Sequence, residues 1–482
     1  MLTKKIAIIG MGVSGLAVLL AISRLKKDQL EELDIYCFDD QKHFGRGIPF
    51  QKDDDSALIN SPLDDISFDY QHMSDFMDWL KENRYDTTVT YTSRALYGKY
   101  MSERANQLIA QLPVTIINQT VDHISYKPTA IEWQLTISDQ TFPQLFDQIH
   151  LACGELPVAD PYQLTGRPNY IADPYPIQQK LATRNWNNSH VAVIGTGLAA
   201  VDVIKWLILQ TSATITAFSR SNYFPTVRIT EGPKLSWHHL TDQTVQSLID
   251  QKNLSYQELD ALFQKELQAL GFSNWEETKS QFLSEGIAGI KLSLDMAEQL
   301  YHLQQLASRL VDCLTDLWPL MSPADRHSYQ ENYGKAIVNL RNPMPEASAQ
   351  AILEAAAQGR LKIISGVEEI KIHGDQFLVS DALVADKVIN ATGYQLTDKT
   401  VDQASPLLQD LVKEKLAQID ELGGLSVDPD TMQVISPKYG SIPTLFAHGA
   451  LVNGIIYQNN STIKIQKMAE RAVNDSIKKP SL

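Results

Sequence analysis

Two stretches of the chain carry the same ordering of apolar and small residues. The first, "IAIIG" from Ile6, is a run of β-branched and small apolar residues, the pattern of a strand buried on both faces of a parallel sheet. It leads into "GMGVSG" and an apolar segment reaching Ile22, so strand, glycine loop and helix follow without a gap. Far along the chain "HVAVIG", from His190, repeats the strand, and "GTGLAAVDVIKWL" repeats the loop and helix. Each is followed by another apolar strand, "DIYCF" in the first case and "ATITAF" in the second. This doubled pattern predicts an α/β fold with two Rossmann-like dinucleotide-binding domains.

Past Arg228 the pattern changes to helices without strands. Ser255 and Glu258 form a capping-box pair ahead of "LDALFQKELQAL", Ser273 with Glu276 offers a second, and Ser322 precedes a proline at a first helical position, Pro323. An all-helical insertion over about residues 229–340 is predicted, larger than a connecting loop requires. It could cover a cleft, shape a pocket or meet a protein partner. Trp275, Phe282, Trp318 and Tyr329 are expected in its helix core rather than against a substrate.

The spacing of the glycines supplies the candidate chemistry. Gly10, Gly12 and Gly15 form GxGxxG: the first makes the tight turn, the second admits a pyrophosphate to the backbone, and the third lets helix and strand pack closely. The helix N-terminus then offers amide hydrogens and positive potential to phosphate. Asp39, at the end of the next strand, is placed to accept hydrogen bonds from ribose hydroxyls. The second loop reads Gly195, Gly197 and Ala200, and the position equivalent to Asp39 holds Ser219, followed by Arg220. A carboxylate repels a 2′-phosphate whereas a hydroxyl and a guanidinium bind one, so NADP is favoured over NAD. The alternative is a surface arginine at a strand end, and Arg228 is a further candidate. Two sites in one chain suggest FAD in the first and a nicotinamide in the second, with hydride passing from nicotinamide to flavin.

Composition narrows this further. A chain of 482 residues, 44% hydrophobic, accommodates two or three domains and a buried ligand. A net charge of −15 without a dense basic tract argues against nucleic acid. The cysteines, Cys37, Cys153 and Cys313, are far apart with no CxxC, which argues against a disulfide framework, a zinc ribbon or a dithiol centre. Lys4 and Lys5 ahead of an apolar run resemble the start of a secretory leader, but the glycine spacing inside that run favours a buried strand and helix. No run is long enough to span a bilayer, so no membrane association and a cytoplasmic setting are expected. His238, His239 and His327 lack metal-ligand spacing, and no metal is expected. No triad, nucleophilic cysteine signature or paired-carboxylate motif identifies a catalytic side chain.

Further segments continue in a characteristic order: "FGRGIPF" from Phe44, "ALINSP" from Ala57, "FMDWL" from Phe76, "SRALYGKYM" from Ser93, "LRNPMP" from Leu340 and "VINATGY" from Val388. Together with the two loops they resemble the two-dinucleotide-binding-domain flavoproteins, a group that includes flavin-containing monooxygenases and amino-acid N-hydroxylases. More narrowly the chain resembles the YdhS-like FAD/NAD(P)-binding proteins. The resemblance implies a flavin domain from residues 1–153 and 394–482, with an NADP domain, residues 154–393, inserted in it. "LACGELP" from Leu151 would be the outbound crossover and Ala391–Gly393 the return, with Thr392 and Gly393 at the cofactor. It also implies Arg46 and Gly47 near the flavin pyrophosphate and Asn60 near the isoalloxazine ring, although a solvated loop charge and a plain turn residue serve equally well for Arg46 and Asn60.

Two departures from the group's pattern matter. "LTGRPNY" has Leu164 and Tyr170 where Baeyer-Villiger enzymes carry the Phe and His of FxGxxxH, which disfavours that chemistry. Gly449 is followed by Ala450 where flavin domains of this kind often have Gly-Asp, while the helix begun near "NNSTIKIQKMAERA" could still aim its N-terminus at the flavin. Three functional expectations follow. The leading one is an FAD-dependent, NADPH-consuming monooxygenase acting on nitrogen or sulfur of a small substrate. The others are a flavin reductase serving a quinone, a disulfide or a protein partner, and a flavin-binding sensor or scaffold.

Overall fold

The computed structural model describes residues 3–380 and 383–477. The chain divides into two compact units, one of Met1–Asp55, Ser61–Pro157 and Tyr394–Leu482, the other of Ser56–Asn60 and Val158–Gly393. The first unit breaks off at Pro157 and resumes at Tyr394. The short segment Ser56–Asn60 packs with the second unit although its sequence neighbours on both sides belong to the first.

In the first unit a six-stranded sheet runs in the order Gln433–Ser436, Gly440–Ala447, Gln148–Leu151, Lys4–Ile9, Leu33–Phe38, Val114–Ile117. All its pairs are parallel except that of the edge strand Gln433–Ser436. Alternate residues of Lys4–Ile9 serve opposite layers: Ala7 and Ile9 join Trp133, Leu135 and Phe146 of a three-stranded antiparallel sheet in one core. The helices Val13–Ser23 and Thr462–Ile477 pack tightly on one another. Because both faces of the sheet are covered, the central strands can be apolar throughout, as the sequence reads.

The second unit has the same layering. Its all-parallel sheet runs Leu361–Ile363, Thr214–Phe218, His190–Ile194, Lys387–Asn390, Tyr170–Ile171. Helices Leu198–Gln210 and Glu346–Ala357 contribute to one core, while Ala192, Ile194 and Phe218 meet Phe377 and Val379 of a small antiparallel sheet in another.

Asp242–Arg341 is helical, with Ala297–Leu317 its longest helix. The Ser255–Glu258 capping box forms, and Ser322 caps the helix that opens with Pro323. The second expected box does not: the helix Trp275–Phe282 is capped by Asn274, whose side chain accepts the Glu277 N–H, in place of Ser273 with Glu276. Asparagine is as good a cap as serine, and the one-residue shift puts Trp275 on the helix and in the core. Trp275, Phe282, Trp318 and Tyr329 are all buried. Glu266 is buried too, and stays viable because its carboxylate accepts the N–H groups of His238, His239 and Leu240 at 2.6–3.2 Å. Among the described residues no helix is long and apolar enough to cross a membrane, and no three His, Cys, Asp or Glu side chains could hold a metal ion.

Candidate functional site: two glycine loops

The first loop is built so that only glycine fits at its turn. Gly10 has φ +91°, and a Cβ there would lie 2.7 Å from the Ala152 carbonyl carbon, because the outbound crossover passes directly against it. At Gly15 a Cβ would lie 2.0 Å from the Gly10 oxygen, the close approach of helix and strand that the third glycine permits. Gly12 is the N-cap of Val13–Ser23, and no side chain caps the helix, so its first-turn amides remain for a ligand.

The surroundings converge on this turn. Asp39 accepts the Met11 N–H and the Asp40 N–H, each at 2.7 Å, which fixes the carboxylate beside the loop. A carboxylate has about four acceptor sites, so capacity remains for ribose hydroxyls. The segment carrying Arg46 and Gly47 folds over the loop: the Gly45 N–H donates to the Met11 carbonyl at 2.8 Å, and a Cβ on Gly12 would stand 3.0 Å from the Gly47 Cα. Arg46 donates from Nε to Ser102 Oγ at 2.7 Å, and Ser102 in turn to the Phe44 carbonyl at 2.9 Å, so the arginine is oriented by the fold. Its terminal nitrogens form no ion pair among the described residues. Burial pushes the Cys153 thiol, beside Gly10, up to about 12, so it is a protonated wall rather than a nucleophile.

Gly449, already noted for the Ala450 that follows it, has neighbours that the sequence did not single out. Gly449, with φ +65°, comes so close to the first helical turn that a Cβ there would sit 2.0 Å from Ser14 Oγ. Asn459, fully buried, donates to the Gly449 carbonyl at 3.0 Å, while its Oδ1 has no partner. Just before Gly449, His448 is buried against His150, Nε2 to Nδ1 at 2.9 Å, and His150 stacks on Phe446. Burial holds the pKa of His448 down to about 3, and burial together with the neighbouring His448 holds that of His150 well below the ordinary value. Polar residues inside strands that are otherwise apolar, "QIHLA" and "LFAHG", were the available signal.

The second loop repeats the turn with a different finish. Gly195 has φ +122°, and a Cβ there would lie 2.8 Å from the Ala391 carbonyl, so the return crossover presses on this loop as the outbound one presses on the first. Ala200 is buried behind it. Thr392 donates from Oγ1 to Asn390 Oδ1 at 2.8 Å, Asn390 donates to the Ala159 carbonyl at 2.8 Å, and Gly393 turns with φ +89°. Gly197 caps Leu198–Gln210 without a side-chain cap, and nothing lies within 4 Å of where its Cβ would be. This open face over unpartnered amides fits a pyrophosphate.

Ser219 is used by the fold. Its N–H donates to Asn222 Oδ1 at 2.7 Å, its Oγ accepts the Asn222 N–H at 2.9 Å, and the same Oγ lies 2.8 Å from Thr196 Oγ1, which donates to the Tyr223 carbonyl. With Thr196 so engaged, the Ser219 proton points to Thr196, and the cationic Arg220, exposed beyond it, is the group left to meet an anion. Asn60 lies in the segment Ser56–Asn60, where its carbonyl accepts Arg228 Nη2 at 3.0 Å and the Ser56 carbonyl accepts Lys205 Nζ at 3.3 Å.

Residues 7–156, the stretch that contains the first loop, match the model of an FAD-NAD(P)-binding family. Among solved structures, the L-lysine 6-monooxygenase of Pseudomonas syringae superposes with a TM-score of 0.59 at 14% identity, covering 98% of this chain and 99% of that one. The chain shares the fold of that enzyme. The ornithine N-hydroxylase of Kutzneria sp. 744, in a complex with reduced FAD, NADP+ and L-ornithine, gives 0.58 at 13% identity over 98% and 99%. OTEMO in its FAD-bound form gives 0.52 at 12% over 98% and 83%. A sequence search of the curated proteins finds no match.

Proposed function

We propose that this protein is an FAD-dependent oxidoreductase that takes hydride from NADPH and oxygenates a nucleophilic nitrogen or sulfur of a small substrate. The observation that carries the reading is the pair of glycine loops, alike in backbone and opposite in charge at the ribose end, in a fold shared with N-hydroxylating enzymes. FAD, when bound, supplies the acceptance of hydride and the activation of oxygen. The chain's own groups bind and orient. Asp39 would accept the adenosine ribose hydroxyls of FAD, the uncapped amides at Val13–Gly15 would hold its pyrophosphate, and Arg46 would add positive charge there. The open amides after Gly197 would hold the NADPH pyrophosphate, with Arg220 at the 2′-phosphate. The relatives named above for ornithine and lysine make aliphatic primary amines the first substrates to test.

The test is an anaerobic titration of the purified protein with NADPH, followed at the flavin absorption band, and then admission of oxygen with and without candidate amines. Rapid bleaching, followed by amine-dependent product formation on aeration, is the expected result. A flavin that stays oxidised in excess NADPH overturns the oxidoreductase reading, and bleaching followed by peroxide alone with every amine and sulfide overturns the monooxygenase one.

A further inference from the structure

Burying a polar atom without a partner is costly, so a chain rarely keeps several in one place. The first unit does so along one face of its sheet. On the strand Gln148–Leu151, Ile149 and Leu151 join the core of Trp133 and Phe146, so Gln148 and His150 take the opposite face. Both are fully buried, and their partners in register on Lys4–Ile9 are Ile6 and Ile8. Neither polar atom of the Gln148 side chain has a hydrogen-bond partner, nor has Nε2 of His150, Nδ1 of His448 or Oδ1 of Asn459. Water is what buried polar atoms bind when the protein offers them nothing.

The two histidines are ordered for transfer. His150 Nδ1 and His448 Nε2 lie 2.9 Å apart, with the ring planes at 20°. That contact shares one hydrogen and leaves each ring a second nitrogen, Nε2 of His150 at one end and Nδ1 of His448 at the other. With both rings neutral, one end carries a hydrogen and the other a lone pair. A proton accepted at the lone pair is matched by one released at the far end, while the shared hydrogen crosses between the rings. Burial above all, with the neighbouring His448 and the charge of Lys4, disfavours an imidazolium at His150, so the exchange is concerted and both rings stay neutral. The ends lead to different places. Nδ1 is the ring nitrogen nearest its own main chain, and His448 is followed by Gly449, which meets Ser14 in the first turn of Val13–Ser23 and has its carbonyl held by Asn459. Gln148 lies toward the start of the sheet, where Lys4 donates from Nζ to the Ser476 carbonyl at 2.7 Å.

We propose that Gln148, His150 and His448, joined by buried water, form a proton relay from the Lys4 edge of the sheet to the flavin site at the first glycine loop. This rests on the flavin reading above: hydride from NADPH brings FAD two electrons and one proton, and a second proton from solvent completes NADPH + FAD + H+ → NADP+ + FADH2. The test has two arms on the full-length protein. In the first, nitrogen-15 NMR of the histidine rings reads their tautomers and the exchange of ring hydrogens with water, in wild type and Gln148→Leu. Wild type should show both rings neutral at pH 7 and exchanging with water despite full burial. Gln148→Leu loses two unpartnered atoms, so it should melt no lower than wild type yet exchange about tenfold more slowly or slower still. In the second arm a pH-indicator dye follows proton uptake while NADPH bleaches the flavin without oxygen. Gln148→Leu and His448→Gln should both bleach, but take up the proton at least about tenfold more slowly than wild type, a split that a purely structural role would not produce. Ring hydrogens as protected in wild type as in Gln148→Leu overturn the proposal, and so does proton uptake at the wild-type rate in His448→Gln. A wild type that does not bleach overturns the flavin reading and with it the destination of the relay, whatever the first arm shows.

Discussion

The two glycine loops share a turn, an uncapped helix and a crossover pressed against the first glycine, yet their surroundings differ. Around the first, Asp39 grips the loop amide and Gly47 stands over Gly12. Around the second, no carboxylate takes the Asp39 position, the Gly197 face is open, and the exposed Arg220 follows Ser219. A covered loop with an acidic ribose end suits a dinucleotide that stays. An open loop with a basic end suits one that arrives, gives up a hydride and leaves. On the proposed reading one supersecondary unit would serve two purposes, and the difference would lie in what the rest of the chain brings to it.

The largest test of what the loops share is substitution of the first glycine. Gly10→Ala and Gly195→Ala each put a methyl group against a crossover carbonyl, at 2.7 and 2.8 Å, at positive φ. Backbone cannot move aside as a flexible side chain can, so each should cost roughly 3 kcal/mol or more. Thermal melts should show the loss in both variants. Equal stability to wild type in either would mean that the crossover does not press on that loop.

Asp39→Ala tests what is particular to the first loop. It removes the acceptor of the Met11 N–H, at a cost of about 1–3 kcal/mol, and with it the ribose contact. The expected outcome is protein purified with much less flavin, restored in part by added FAD, and NADPH-fragment binding that is unaffected. Loss of fragment binding with full flavin content would reverse the assignment of the two sites.

Those features were legible because they depend on local chemistry. Glycine spacing, buried β-branched strands and the Ser255–Glu258 cap follow from a few consecutive residues. What was not legible depends on partners distant in sequence. The hydroxyl of Ser219 looks available in "FSRS" but is taken by Thr196 and Asn222. The Asn274 cap lost to Ser273 on the page because both are good caps, and only the packing of Trp275 decides between them.

Acidification should separate the units by a different property. His150 and His448 are the buried histidines among the described residues, and both belong to the first unit. Their folded pKa values are depressed, so below the ordinary value of 6.5 the unfolded chain binds protons that the folded one refuses, until about pH 3 for His448. Stability is therefore lost as pH falls through this window, by up to about 1.4 kcal/mol per pH unit for each histidine. Hydrogen exchange between pH 7 and 5 should show first-unit peptides losing protection before second-unit ones, and His150→Gln with His448→Gln should flatten the dependence. Equal losses in both units would assign the acid sensitivity elsewhere.

The smallest effect on stability, and the sharpest contrast between the loops, is expected at the second glycine. Gly12 and Gly197 are both N-caps with φ −68° and −77°, values that alanine adopts without strain. At Gly197 the new methyl would meet nothing within 4 Å, so Gly197→Ala should change stability by no more than about 1 kcal/mol, the scale of a cap substitution. At Gly12 the methyl stands 3.0 Å from the Gly47 Cα, and the covering segment must shift. Gly197→Ala should keep its flavin and its melting temperature yet bind 2′,5′-ADP and 5′-AMP equally more weakly, because the methyl fills the space through which phosphate reaches the amides that both ligands need. Gly12→Ala should lose flavin and stability together. If Gly197→Ala binds both fragments normally, the open face is not where the phosphate enters, and the distinction between a resident and an exchanging site would have to rest on charge alone.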